Sequence, residues 1–317
     1  MNIQQLEYVV AVADHGSFGK AATAQFISQS TLSTMIARLE DEKKIKIFDR
    51  KYKPASITKE GEAFITQCRV ILDEIKNLGE VVNNLTGASS GTIKIGVIPT
   101  VAPYLLPLFI NKLTSDKPEV QFIISEMTTQ SIIDYIDQRK LDIGILSTPI
   151  DHPDLIEHHL YNEPFYLYDK NHKNSLSMVD YKSLDCERLW LMDEGHCLRH
   201  QVESVCDLQS KSSFKRNLEY KSGSIDTLLR FVKKNSGLTL LPYLSTLGLS
   251  KSDQNHLATF KSPAPARSIG VVVHRNYSKK GLLDLLIRHI VTVTQPLLDL
   301  SDQELSLIHI SEPTRPY

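Results

Sequence analysis

Apolar residues at positions 64, 68, 71, 75, 78, 82 and 85 recur at alternating spacings of four and three. More than any other feature, this seam limits what the chain can become. Phe64, Cys68, Ile71, Ile75, Leu78, Val82 and Leu85 form one stripe of a helix with a three-and-a-half-residue period, the mark of a helix that packs lengthwise on another. The stretch Thr86-Gly87-Ala88-Ser89-Ser90-Gly91 ends it and marks a hinge. The sequence differs in kind on the two sides. The expected organisation is a domain over residues 1–60, a linker and dimerisation helix over 61–87, and a larger domain over 92–300. Cys68, inside the seam, is expected to be packed rather than reactive.

Before the seam the periodicity is helical. Leu6, Val9, Val10, Val12 and Ala13 give one apolar face, Ser17 can cap a second helix, and a turn near Phe26 and Ile27 precedes a third helix from Ser28. Leu32, Ile36 and Leu39 share one side of that third helix. Gln29, Ser30, Thr31, Ser33 and Thr34 are left near its start, where base edges and phosphates are read in a helix-turn-helix. Between residues 43 and 59 stand Lys43, Lys44, Lys46, Arg50, Lys51, Lys53 and Lys59 against Asp49 alone. That local excess suits phosphates beside a wing. The competing reading is a three-helix core with a solvated run of charge. Since the net charge of the 317-residue chain is only −1, any nucleic-acid binding has to come from such a patch.

Beyond the hinge, strands alternate with helices: strands at 92–98, 120–125 and 141–147, helices at 101–113 and 130–138. Further strands are expected at 165–168, 189–192, 238–241 and 269–273, and helices at 224–234 and 279–292. Alternation of this kind predicts a parallel sheet and an α/β class, here as two small lobes with a cleft. Thr100, in the turn Ile98-Pro99-Thr100-Val101, sits at a strand's carboxyl end, where open α/β sheets hold ligands; it can equally cap the next helix.

Gly195-His196-Cys197-Leu198-Arg199-His200 puts a thiol among cationic groups, which favour the nucleophilic thiolate. Cys206 is close enough in sequence to condense with an oxidised Cys197. On a continuous helix their Cα atoms would be roughly 13 Å apart, beyond the reach of a disulfide, so bonding requires the segment to unwind. Other readings stay open on the residues alone: two buried cysteines acting as small hydrophobes, a zinc site with His196 and His200, or a Cys/His nucleophilic enzyme.

Phe18-x-x-Ala21-Ala22, Ser28-Gln29-x-Thr31-Leu32-Ser33 and Ile36-x-x-Leu39-Glu40 resemble the amino-terminal signature of LysR-type transcriptional regulators. The likeness runs to about Val293. Ile98-Pro99-Thr100-Val101, Pro103-Tyr104-Leu105-Leu106-Pro107, Gly195-His196-Cys197-Leu198-Arg199 with Cys206, Leu238-Thr239-Leu240-Leu241-Pro242 and Arg267-x-Ile269-Gly270 are similar to the peroxide-sensing members of that family. The resemblance implies an α/β protein: an amino-terminal winged helix-turn-helix, a long linker helix and a two-lobed regulatory domain like the periplasmic binding proteins. It implies that Cys197 is the peroxidatic thiol and Cys206 the resolving one, with Thr100, Thr129, His196 and Arg267 around the peroxide. Gln29, Thr31 and Ser33 would meet DNA. Ser30 stands where the family usually has proline, and His200 where the peroxide sensors usually have aspartate.

The expected partners are double-stranded DNA, a second copy of the chain in a dimer or tetramer, hydrogen peroxide, a cytosolic dithiol reductant and RNA polymerase, with no metal or other cofactor. Neither a secretory signal nor about 18 uninterrupted apolar residues is evident, so a cytoplasmic protein is expected. Residues 305–317 resemble translated adapter sequence and are expected to be foreign to the native chain. Two other functions fit less of the sequence. A regulator of this family sensing a small organic ligand in the cleft leaves the cysteines incidental, and a thiol peroxidase leaves residues 1–60 unexplained.

Overall fold

The computed structural model of the chain describes residues 1–51, 54–86, 91–171, 178–185, 188–192, 223–235, 237–298 and 304–308. They form two compact units, one ending with the linker helix and the other beginning at Gly91.

In the first unit, α1 (Ile3–His15) starts on a capping box in which Asn2 and Gln5 satisfy each other's backbone amides. Ser17 caps α2 (Phe18–Ala24), and Ser28 caps α3 (Gln29–Lys43) by accepting from the Thr31 amide at 3.1 Å. Leu6, Val9, Val12, Ala21, Ala22, Leu32, Ile36 and Leu39 close the core between the three helices. A two-stranded antiparallel wing, β1 (Phe48–Asp49) and β2 (Ser56–Ile57), follows.

The linker helix α4 (Lys59–Thr86) begins inside the region read as the first domain. A Cβ at Gly61 would lie 2.2 Å from the Ile47 carbonyl oxygen, so only glycine lets the helix pass the chain between α3 and the wing. The seam divides in two. Phe64, Cys68 and Ile71 pack into this unit's own core, with Cys68 2 % exposed, whereas Leu78 is 68 % exposed. The early seam therefore has a partner in its own chain, α1 included.

The second unit carries β3 (Gly91–Val97), α5 (Ala102–Asp116), β4 (Val120–Glu126), α6 (Thr129–Asp137) and β5 (Ile143–Thr148), with the three strands parallel in the order β4-β3-β5. Gly96 and Gly144 are register partners on β3 and β5. A Cβ at either would run into Ile132, so the paired glycines let α6 lie close on the sheet.

The wholly parallel sheet expected from the alternation is corrected at this point. β6 (Leu155–Asp169) and β10 (Ala264–His274) are long and antiparallel, β10 lying between β5 and β6. The sheet is mixed because these two strands serve both lobes. The first half of β6 pairs with β10, while its second half pairs with β8 (Leu238–Pro242) and β9 (Leu257–Phe260). α7 (Ile225–Asn235) covers this second sheet through Leu228, Leu229 and Val232, the short helices α8 (Tyr243–Thr246) and α9 (Lys251–Gln254) lie between β8 and β9 in the chain, and the short β7 (Met178–Val179) lies beside β9. The strand expected at 189–192 is only a bridge between Leu189 and Leu238.

Two cores result. One gathers β3, β4, β5, α5, α6 and α10 (Lys280–Leu298); the other gathers the end of β6 with β8, β9 and α7. By length and composition α10 could cross a membrane, but Leu283, Leu286 and Ile290 on it are buried in the first of these cores. Of the segment expected to be foreign, Leu305–Leu307 forms β11, parallel to the start of β10. Residues 309–317 lie outside the described residues.

Candidate functional site

Two regions contain the residues singled out from the sequence. In the first unit, Gln29, Ser30, Thr31 and Thr34 are exposed on the first turns of α3, with Ser33 half-buried. Ser28 Oγ lies 2.8 Å from both Ser30 Oγ and Thr31 Oγ1, so the cap forms with serine at position 30. Arg50 is held by three groups: it donates to Ser33 Oγ at 2.8 Å and to Glu40 Oε2 at 3.3 Å, and its guanidinium lies 4.9 Å from the centre of the Phe18 ring. Glu40 is 2 % exposed, and its other oxygen accepts the backbone amides of Ile47 at 2.7 Å and Phe48 at 3.2 Å. One carboxylate thus ties the end of α3 to the first strand of the wing. A concavity lined by Ser17, Gly19, Gln29, Ser33, Arg50 and Pro54 lies beside it. Lys51 is exposed at the wing, its amide bonded to Asp49; Lys53 lies outside the described residues.

The second region is buried. Arg267 on β10 and Glu163 on β6 are register partners and face each other on one side of the sheet. Arg267 donates to Glu163 Oε2 from Nε at 2.9 Å and from Nη2 at 2.8 Å, and to Thr100 through Nη1 to Oγ1 at 2.9 Å and Nη2 to the carbonyl at 3.2 Å. All three residues are 1 % exposed. Glu163 Oε1 accepts the Leu244 amide at 2.8 Å. A guanidinium has five N–H donors, so one on Nη1 remains outside these bonds. Thr100 does not cap α5, whose start lacks a side-chain cap. Its oxygen accepts from Arg267 and its own proton is left to donate.

Thr129 opens α6, and its hydroxyl is buried without a hydrogen-bond partner among the described residues. Tyr104, on α5, donates to Asp226 on α7 at 3.3 Å and so joins the two lobes. Burial, then the Asp226 charge, raises its pKa above the ordinary tyrosine range. His196, Cys197 and Cys206 lie outside the described residues; of the residues expected around the peroxide, Thr100 and Arg267 are bonded to one another. Glu163 escaped the sequence reading because strand β6 was expected to start only at Phe165. Its one signal there is a carboxylate just ahead of the apolar run Phe165–Tyr168.

Residues 3–62 match the model of the bacterial regulatory helix-turn-helix protein, LysR family, and residues 86–295 match the LysR substrate binding domain. The chain is 34 % identical over 274 residues to the DNA-binding transcriptional dual regulator OxyR of Escherichia coli K12, covering 86 % of this chain and 89 % of that protein. It is 33 % identical over 288 residues to a hydrogen peroxide-inducible genes activator of Pectobacterium carotovorum, covering 90 % and 94 %. A full-length OxyR variant of Pseudomonas aeruginosa superposes with a TM-score of 0.77 at 26 % identity, over 92 % of this chain and 98 % of that one.

Proposed function

The chain belongs to the LysR family of DNA-binding transcriptional regulators, and from that premise we propose that it senses hydrogen peroxide and is switched by a reversible bond between Cys197 and Cys206. The observation that supports this most is the buried trio Arg267, Thr100 and Glu163. It leaves an N–H and an O–H donor unspent beside one another where water is excluded. Donors held in a low-dielectric interior stabilise charge developing on an oxygen far better than donors in water.

In this reading the Cys197 thiolate attacks one peroxide oxygen. The S–O bond forms as the O–O bond breaks, leaving a sulfenic acid and a hydroxide that takes a proton from solvent and departs as water. Arg267 and Thr100 stabilise the charge on the departing oxygen, and Thr129 and His196 complete the surroundings. Cys206 then displaces a second water from the sulfenic acid to give the disulfide, which a cytosolic dithiol later reduces. The changed segment alters subunit packing and hence the spacing of the DNA-binding domains, which Gln29, Ser30, Thr31, Ser33 and Thr34 direct to bases and Arg50, Lys51 and Lys53 to phosphates. The protein acts in the cytoplasm as a dimer or tetramer and works with RNA polymerase.

Intact-mass spectrometry and DNA footprinting after stoichiometric peroxide test the proposal. The wild type should lose two hydrogens and change its footprint, Cys206→Ser should stop at a trappable sulfenic acid, and Cys197→Ser should do neither. A footprint that still shifts in Cys197→Ser would overturn it. That result would favour the second reading, a small organic ligand between the lobes that Tyr104 and Asp226 join, for which the matched substrate-binding domain also speaks.

A further inference from the structure

Ser28 Oγ is the centre of a short hydroxyl chain at the start of α3. It accepts the Thr31 amide at 3.1 Å and lies 2.8 Å from both Ser30 Oγ and Thr31 Oγ1. A hydroxyl has one proton and two lone pairs. The amide takes one lone pair, so Ser28 has one proton and one lone pair left for two hydroxyl neighbours. It therefore donates to one of them and accepts from the other.

The two neighbours are thereby made unlike. The hydroxyl that donates to Ser28 faces outward with lone pairs only, whereas the one that accepts from Ser28 keeps its own proton for an outside partner. Ser28, Ser30 and Thr31 are all exposed on the turn that begins the helix. Once DNA covers this turn and water leaves, an unmade bond is costly, and the direction of the chain is no longer free. Phosphate oxygens, guanine O6 and thymine O4 only accept. To bond any of them Ser30 has to donate. Ser28 then donates to Ser30, and Thr31 gives its proton to Ser28.

Resting on the DNA reading above, we propose that Ser30 determines specificity through Ser28: with its own proton committed to a DNA oxygen, it leaves Thr31 as an acceptor only. Thr31 then selects a base edge bearing an amino group, adenine N6 or cytosine N4. Ser30 thus governs the reading of a base that Thr31 touches.

The test uses full-length wild type, Ser30→Ala, Ser30→Thr and Thr31→Val, with DNA selected by the wild type from random duplexes. The base pair whose identity no longer matters to Thr31→Val is the one read by Thr31. At that pair the amino group is removed, by purine for adenine or 2-pyrimidinone for cytosine, and in separate duplexes 7-deazapurine removes the N7 acceptor. Loss of the amino group should weaken wild type about tenfold and leave Thr31→Val unaffected. Ser30→Ala should lose roughly threefold or less, since its Thr31 is free to donate instead, while Ser30→Thr, which keeps a hydroxyl, should behave as wild type. Melting temperatures should stay unchanged. A tenfold loss in Ser30→Ala as well would overturn the proposal and leave Thr31 as a base reader. So would a wild type sensitive to 7-deazapurine but not to loss of the amino group, because Thr31 would then be a donor. Equal weakening of Ser30→Ala at every base pair would also overturn it, by marking a distorted helix. Should no base pair respond to Thr31→Val, the assignment of Thr31 to bases fails and this inference with it.

Discussion

Arg267 and Glu163 stand opposite one another on β10 and β6, joined by two hydrogen bonds of 2.8 and 2.9 Å, with neither more than 1 % exposed. These strands are the ones that serve both lobes, so this ion pair lies where the two cores meet. Breaking one side of such a pair is costly because the remaining charge stays buried and unpaired. Glu163→Ala should lower unfolding free energy by about 3–5 kcal/mol. Urea denaturation of the two proteins measures it, and a loss below about 1 kcal/mol would mean that solvent reaches the guanidinium.

A second buried carboxylate braces the DNA-binding unit. Glu40 accepts two wing amides and the Arg50 guanidinium. Glu40→Ala leaves two buried N–H groups unpaired and takes away one of the three groups that hold Arg50, at a cost of about 2–6 kcal/mol if each unpaired N–H costs about 1–3. DNA affinity should fall as well, because the wing is no longer fixed against α3. Calorimetry and fluorescence anisotropy with operator DNA check the two effects separately. Full affinity with reduced stability would show that the wing is placed by other contacts.

The exposed side chains of α3 and the wing should divide by role. Changing Gln29 or Thr31 to Ala should alter which bases are preferred at one or two positions, at about 1–3 kcal/mol per lost contact. Lys51→Ala should instead weaken binding to all sequences alike and reduce the slope of log K against log salt by about 1. Titrations at several salt concentrations with operator and with mixed-sequence DNA distinguish the two patterns.

The local signals were readable from sequence. Ser17 caps where expected, the third helix starts one residue after the expected Ser28, and Leu32, Ile36 and Leu39 are buried. What the sequence left out depends on pairing between distant segments. The antiparallel insertion of β10 between β5 and β6 joins residues more than a hundred positions apart, and no local period reports it. The first half of β6 was not expected as a strand, and the extra residue Leu160 breaks the alternation of buried and exposed positions there. Glu163 and Tyr161 were hidden by the same break. Cys197 and Cys206 lie outside the described residues.

The late part of the linker seam should carry self-association. Ile75 is 39 % and Leu78 68 % exposed, whereas Phe64, Cys68 and Ile71 are already packed within their own unit. Charging Ile75 and Leu78 together, as Ile75→Glu with Leu78→Glu, should shift sedimentation toward monomer with little loss of intrinsic stability, since apolar seams tolerate charge poorly and solvated faces tolerate it well. A persistent dimer would place the interface elsewhere. The same charges at Cys68 and Ile71 should unfold the amino-terminal unit instead.

Cys68 offers a contrast to the proposed sensor thiol. Burial raises its pKa from the ordinary 9.0 to about 11, against the opposing pull of Arg69. Near neutral pH it is therefore almost wholly thiol, so iodoacetamide at pH 8 should leave it unlabelled in the native protein and label it once urea is added. The same shift links to stability. Because the unfolded thiol ionises near 9.0 and the folded one near 11, nothing is lost below pH 9, and stability falls progressively between pH 9 and 11 as the unfolded chain releases the proton more readily. The fall should reach roughly 2–3 kcal/mol. Cys68→Ala, lacking the thiol, should escape this component, so the stability difference between wild type and variant should narrow through that window. A difference constant from pH 8 to 11 would mean that the thiol ionises as easily in the folded protein as in the unfolded one.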